Sequence, residues 1–519
     1  MAAIDGSPIS DFYVGRSIFI TGGTGFMGKV LIEKLIRSCP GVKTIYVLIR
    51  PRKGQDAQQR LDNLLKTKLF DAVRKTNPDF HSHLLPIDGD MLEENLGISD
   101  HDVHILQNEV SIVFHSAATV KFDEQLKLSV QMNVLGVQKI IELCQKLTKL
   151  EALVHVSTAY ANCDRQHIAE LVYPPPLQPQ KILDAMDWMD DEVVTTLTPK
   201  LIGNRPNTYT YTKAMAEYLL VETCGELPVA IIRPSIVGCS FQEPMPGWVD
   251  NFNGPAGIIA AIGKGVLRSM LGDHDKTADL IPVDMAVNCM IAVAWQRATT
   301  NPSNVPVYNC TTGQINRMTW GTMERLSFNS LMNNPLDGIV RVPNPRFTKS
   351  WLKRDFCLFF DHYLPALLLD SWLFISGRKP VFRKVNDKII KASASLEFFT
   401  TNEWEFCNDN ICALQAKLSK TDRTTFSFDV KRINWPLYME NYCLGVKKFA
   451  LKEQLSNLPA ARKALNRLKK LTMAFNFIIA ILIWRFGLTR LTVVRNLWQF
   501  LLKLATSFLT RIPGFAKSS

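Results

Sequence analysis

Short, nearly uninterrupted runs of β-branched and aromatic residues recur through the first half of the chain: 17–21 (SIFIT), 44–49 (TIYVLI), 111–115 (SIVFH), 152–157 (ALVHVS) and 229–233 (VAIIR). Runs without polar alternation fit strands buried on both faces. Between the first two, 29–38 (KVLIEKLIRS) sets Val30, Leu31, Lys34 and Leu35 at helical spacing, and Cys39-Pro40-Gly41 ends the pattern where proline and glycine break a helix. Such alternation predicts an α/β fold with a doubly wound parallel sheet covered by helices.

After Cys239 the pattern changes. Pro244, Pro246, Pro255 and Pro282 with several glycines predict irregular loops and short helices over a sheet edge. A polar, Asn- and Pro-rich stretch near 300–350 marks a boundary. The apolar block 351–376 is interrupted by Asp355, Asp361, His362 and Asp370. These charges argue against a simple transmembrane helix and for a hydrophobic helical layer or a lipid-touching surface. Further on, 471–484 (LTMAFNFIIAILIW) is uncharged between Lys469-Lys470 and Arg485, and it is short of the roughly 20 residues of a full span unless Arg485 snorkels. The stretch 488–509 is apolar but carries Arg490, Arg495 and Lys503.

Composition alters this picture little: 519 residues, 47% hydrophobic and 21% charged, exclude disorder and a disulfide-stapled miniprotein. Charge alters it more. The formal net charge is +12, yet residues 447–519 hold fourteen Lys/Arg against one acid, Glu453, which leaves the first 446 residues at −1. A near-neutral body with one cationic appendage is not a nucleic-acid binder. Cations around an apolar segment suit anionic headgroups, so the tail is expected to anchor the protein through a short span or a re-entrant or interfacial helix. Eleven cysteines, scattered from Cys39 to Cys443 without a C-x-x-C pair, predict isolated thiols in a reducing compartment and no metal site. The first eleven residues contain no apolar run, so no secretory signal is expected.

Directly after the first strand stands Thr21-Gly22-Gly23-Thr24-Gly25-Phe26-Met27-Gly28, with a helix behind it. Gly22 permits the tight turn, Gly25 lets backbone approach a pyrophosphate, and Gly28 lets helix pack on strand. The N–H groups at the helix start then face the phosphates. The second strand ends in Arg50-Pro51-Arg52-Lys53 without an acid, which points to the 2′-phosphate of NADPH, with Arg50 as first ligand and Arg52 beside it. Tyr209 and Lys213 stand four residues apart, on one face of a helix. An ammonium beside a phenol lowers its pKa and makes it a usable proton donor. Tyr211 is the competitor, at the wrong offset from Lys213. Ser157 and Thr158, ending an earlier strand, supply two candidate hydroxyls.

TGGTGFMG, HVSTAY and YTYTK together resemble the extended short-chain dehydrogenase/reductase superfamily with its Rossmann-type sheet. More narrowly, GRSIFITGGTGFMGKVLIEKL, FHSAATVKFDE, HVSTAYANC, PNTYTYTKAMAE, RPSIVG and IPVD, in this order through residues 12–300, resemble the alcohol-forming fatty acyl-CoA reductases. NWPLYMENYCLGVKKFALKE at 434–453 is similar to their C-terminal domain.

The resemblance implies an NADP-binding reductase domain over 1–300, with its substrate part mainly at 160–210 and 240–300. It further implies a connection over 301–350, a helical C-terminal domain over 351–454 and a membrane-anchoring tail over 455–519. Tyr209 would donate the proton, and Lys213 would lower its pKa and hold the nicotinamide ribose. Thr158 aligns with the catalytic hydroxyl, with Ser157 as the alternative. Asp90 and Met91 stand where the superfamily meets adenine, Ala117 and Ala118 where the cofactor passes, and Pro234 and Ile236 at the nicotinamide end. His115 reads as a packed strand-end histidine. Lys264 and Arg268 are candidates for coenzyme A phosphates, with surface solvation favoured.

The implied reaction takes long-chain fatty acyl-CoA to a primary alcohol and free coenzyme A through an aldehyde, with two NADPH. It would occur at the endoplasmic reticulum or peroxisomal membrane, with the catalytic domain in the cytosol. The competing readings are another extended reductase, for a sterol or a nucleotide sugar, and a membrane-tethered NADP-binding scaffold.

Overall fold

The computed structural model describes residues 6–52, 54–300, 302, 304–490 and 496–503. Residues 1–5 of the expected signal-free N-terminus, Lys53 of the basic strand end, and Arg495 with 504–519 of the tail lie outside the described residues.

Seven strands build one sheet: β1 (Ser17–Thr21), β2 (Thr44–Ile49), β3 (Leu84–Asp88), β4 (Val110–His115), β5 (Ala152–Val156), β6 (Val229–Pro234) and β7 (Val307–Cys310). Their spatial order is β7-β6-β5-β4-β1-β2-β3, and every neighbouring pair is parallel. The order reverses between β1 and β4, which opens a crevice at the carboxyl ends of these two strands, where doubly wound folds bind ligands. All five expected strands are present, and β1, β4, β5 and β6 are buried along their whole length.

The two strands that hydrophobic patterning does not mark are the edges. β3 contains Pro86 and pairs only with β2; proline is tolerated where one side needs no ladder donor. β7 is four residues long, within the polar stretch near 300–350. Its outer side is covered by the C-terminal region: Asn410 Nδ2 donates to Val307 O at 2.8 Å, and Asn408 Nδ2 to Asn309 O at 2.9 Å. Capping an edge in this way blocks strand addition.

Helix α1 (Phe26–Ser38) buries Val30, Leu31, Ile32 and Leu35 against the sheet. Lys34 is buried on the same face and donates to Glu243 and to Thr425 O, both at 2.5 Å, so one ammonium links the first βα unit to the C-terminal region. Helix α2 (Thr208–Thr223) and the almost wholly buried α3 (Val283–Thr300) complete the layers around the sheet.

The C-terminal part is helical: α4 (Trp351–Ile375), α5 (Phe382–Ala394), α6 (Trp435–Gly445) and α7 (Leu458–Arg490). α4 is, among the described residues, the one helix long and apolar enough to cross a membrane by length and composition. α7 contains the expected tail segment, with Leu471, Met473, Phe477 and Ile483 exposed.

Candidate active site

The end of β1 runs into the glycine turn. Gly22 has φ +73°, and a Cβ there would lie 2.7 Å from Ala117 N, so only glycine fits this left-handed, crowded position. A Cβ on Gly28 would stand 2.3 Å from Gly22 O, which is the close helix–strand approach. Gly25 is the N-cap of α1 and offers no side chain to the first turn. The helix therefore presents bare N–H groups, a ready anion site.

These residues line a cleft of about 1190 Å³, beyond the ~300–1,000 Å³ of a single small-molecule site. Gly22, Thr24, Gly25, Phe26, Met27, Gly28, Arg50, Arg52, Asp90, Met91, Ala117, Ala118, Pro234 and Ile236 share its wall with Ser157, Thr158, Tyr209 and Lys213. Thr21 is the exception among the residues assigned to the cofactor. It is fully buried beneath the turn, where its hydroxyl meets His115 Nδ1 at 2.7 Å and accepts from Ala117 N at 3.3 Å. Thr21 thus shapes the turn from below, because the last inward-facing residue of a buried strand points into the core.

The basic strand end is larger than its sequence suggests. Arg60, on the helix Ala57–Leu65, also lines the cleft and donates to Arg50 O. Burial, with Arg52 and Arg50 beside it, lowers its pKa. Three guanidiniums face one region, with Asp90 3.4 Å from Arg50, and a bound phosphate dianion would relieve their mutual repulsion. Arg60 carries no signal in the sequence, since only the fold turns that helix back to the strand end.

The Asn207 side chain caps α2 by accepting from Thr210 N at 2.9 Å. That places Tyr209 in the first turn and Lys213 one turn on. Tyr209 is half-buried, its ring 5.9 Å from that of Phe122. Lys213 is buried, and its Nζ donates to Val156 O at 2.7 Å. One turn further, Glu217 pairs with the buried Arg233 at 2.7 Å. The Thr158 hydroxyl accepts from Tyr160 N at 3.3 Å. Ser157 Oγ is buried and finds no partner among the described residues.

The electrostatics correct one expectation. Burial pushes the Tyr209 phenol up to about 12, with the Thr158 hydroxyl working against it. It is not lowered by Lys213. Desolvation dominates, and the ammonium is directed at a backbone carbonyl. At neutral pH the phenol therefore holds its proton, the state a general acid requires. Burial brings Lys213 down to about 8, partly opposed by Glu217. The ammonium is present below that pH and lost above it. kcat/KM is expected to fall with a limb near pH 8; a limb near the unperturbed lysine value of about 10.4 would contradict a role for this charge.

His115 lies 5.3 Å from His155, both fully buried, and burial lowers the pKa of each, that of His115 to about 3. They are neutral packing groups. Lys264 and Arg268 are engaged in ion pairs with Glu453 at 2.5 Å and Asp361 at 2.9 Å.

Known proteins resemble this chain in sequence and in fold. Residues 20–290 match the family model NAD_binding_4 and residues 361–453 the model Sterile, both described as male sterility protein. Fatty acyl-CoA reductase 1 of Homo sapiens is 46% identical over 502 residues, covering 97% of this chain and 98% of that protein. Fatty acyl-CoA reductase 2 of Mus musculus is 43% identical over 504 residues, with the same coverage. Among solved structures, the terminal R domain of the myxalamid PKS-NRPS pathway superposes with a TM-score of 0.52 at 18% identity, over 85% of this chain and 93% of that one. The reductase domain of a nonribosomal peptide synthetase from Mycobacterium tuberculosis gives 0.54 at 18% identity, over 83% and 91%. These two likenesses show that the chain shares the fold of those domains. With near-complete coverage at this identity and both family models in order, the chain belongs to the fatty acyl-CoA reductase family.

Proposed function

We propose that the protein reduces long-chain fatty acyl-CoA to a primary alcohol and free coenzyme A through an aldehyde, oxidising two NADPH. The observation that carries this reading is the continuity of the cleft. From Tyr209 an aromatic wall runs through Phe122 to Phe399, 5.4 Å apart, and on to Leu396 and Ile389 of the C-terminal region. An apolar wall beside the proton donor suits an acyl chain. The turn at Gly22 and the three guanidiniums suit a dinucleotide with a 2′-phosphate.

A nicotinamide bound here supplies the hydride. The protein's part is to orient the thioester carbonyl and protonate its oxygen. Tyr209 gives a proton to the oxyanion formed at C1, and Thr158, as the catalytic hydroxyl in preference to Ser157, hydrogen-bonds the phenol as its charge grows. Lys213 holds the ribose and stabilises the phenolate. The resulting hemithioacetal breaks its C–S bond, the thiol leaves as coenzyme A, and the aldehyde remains. The phenolate must regain its proton from solvent, and with a second NADPH in place of the spent cofactor Tyr209 would protonate the oxygen of the reduced aldehyde to give the alcohol. No acyl-enzyme forms, so no cysteine is needed.

Arg60→Ala is expected to raise KM for NADPH roughly ten-fold or more, in line with one charge-assisted contact, and to leave KM for NADH unchanged; equal effects on both would remove the 2′-phosphate assignment. We place the reductase unit at 1–300, the C-terminal unit at 351–454 and the anchor at 455–519, on a membrane of the endoplasmic reticulum or peroxisome. Deleting 455–519 is expected to free the protein from membranes washed in high salt, whereas sedimentation unchanged by the deletion would count against the anchor. The function itself is tested by following NADPH oxidation with palmitoyl-CoA, a sterol and a nucleotide sugar in turn. Oxidation with the thioester supports the reading. Oxidation with only the sterol or the sugar, or cofactor binding without turnover, overturns it.

A further inference from the structure

Three of the four polar residues that interrupt the apolar block of α4 bond to other parts of the protein, and the fourth, Asp355, meets only its neighbour Arg354 among the described residues. Asp361 holds Arg268 at 2.9 Å. His362 accepts from Arg268 N at 3.2 Å and meets Asn386 Oδ1 at 3.2 Å. Asp370 accepts the backbone N–H groups of Val381, Phe382 and Arg383 at 2.8–2.9 Å and so caps α5. One face of α4 is thereby fixed to the body of the molecule.

Away from these bonds the helix is apolar and bare. Trp351, Phe356, Leu368, Trp372, Phe374 and Ile375 are each at least 60% exposed, Ile375 reaching 83%. Soluble surfaces seldom present a patch of this kind. Directly beyond it stand Arg378, Lys379, Lys384 and Lys388, exposed and without an ion pair among the described residues. Tryptophan and phenylalanine with flanking cations are the composition of an interfacial helix. A helix with one face bonded to protein through buried polar groups lies on a bilayer and does not cross it.

We propose that the outer face of α4, with the basic corner leading into α5, beds in the interfacial layer of an anionic phospholipid bilayer, as a second membrane contact separate from the tail. Charge complementarity selects lipid over a second copy of this chain, because a two-fold contact would set this basic corner close to its own copy. The docked orientation has a consequence. Lys388, Ile389, Lys391 and Ala392 of α5 line the cleft, so docking brings this wall of the cleft beside the lipid. An acyl chain then enters from the membrane, and this entry route rests on the acyl-CoA reading above.

The test uses the full chain bound to vesicles of phosphatidylcholine with about one-third phosphatidylserine. Photoreactive benzoyl-phenylalanine replaces Phe374 or, as a distant control, Trp188, which is 72% exposed. Phospholipid adducts at 374 and none at 188 are expected. The yield at 374 should fall roughly ten-fold in pure phosphatidylcholine and in Lys379→Glu/Lys384→Glu, as surface attraction per cation implies. Vesicle-bound protein without lipid adducts at 374 overturns the proposal, as do adducts there to a second copy of the chain. Palmitoyl-CoA turnover is measured on the same vesicles. Adducts without turnover would leave the docking face standing and remove the acyl reading.

Discussion

Tyr209→Phe is expected to bind NADPH as the native protein does and to lose roughly 10²–10⁴-fold in kcat. The ring stays, and with it the contact to Phe122 at 5.9 Å; only the proton is gone. The neighbourhood offers no ready substitute. Tyr211 is fully buried, and Ser157 and Thr158 carry aliphatic hydroxyls. Fluorescence titration of NADPH with single-turnover kinetics separates the two effects. Turnover retained in this variant would refute the assignment of Tyr209 as proton donor, whereas weakened cofactor binding would show the phenol to be a structural support.

Glu217→Gln is expected to act on stability and on catalysis together. Arg233 is fully buried and relies on Glu217 at 2.7 Å, with further bonds to Ala169 O at 3.2 Å and Leu171 O at 2.8 Å. Removing the carboxylate leaves a guanidinium buried without a counter-charge, which costs about 3–5 kcal/mol. Glu217 is also the charge that supports the Lys213 ammonium against desolvation. Its loss favours the neutral amine, so the alkaline limb of kcat/KM moves below pH 8. Denaturant titration and a pH profile check both halves. A stability loss with an unmoved limb would confine Glu217 to packing and separate it from the lysine.

Much of the centre of this molecule is legible in the chain, for identifiable reasons. Strands β1 and β2 are uninterrupted apolar runs because both faces are covered, and their ends match the patterning to the residue. Gly22 and Gly28 are readable because backbone approaches them too closely for any side chain. The edges are not readable. Pro86 disguises β3, and the four residues of β7 make a strand by pairing with β6, with Asn408 and Asn410 covering the outer side from a hundred residues away. The site divides in the same way. Tyr209 and Lys213 reveal themselves by a local offset, but Arg60 reaches the cleft only through the turn of its helix. The direction of the Tyr209 shift was not readable either, because spacing shows a neighbouring charge and not the depth at which both groups lie. In α4, Asp361, His362 and Asp370 looked like interruptions of an apolar segment. Their partners at Arg268, Asn386 and the start of α5 show that they fasten one face of it.

All of the chemistry proposed here requires a single cleft to deliver hydride twice to one carbon of a thioester. Palmitoyl-CoA incubated with the membrane-bound protein and NADPH deuterated at the transferred position tests this most directly, with mass analysis of the product. Hexadecanol carrying both deuterium atoms on C1, with release of free coenzyme A, is the predicted result. Hexadecanal with one deuterium as the sole product, or palmitoyl-CoA recovered unchanged while the labelled cofactor is oxidised by another carbonyl compound, would contradict it.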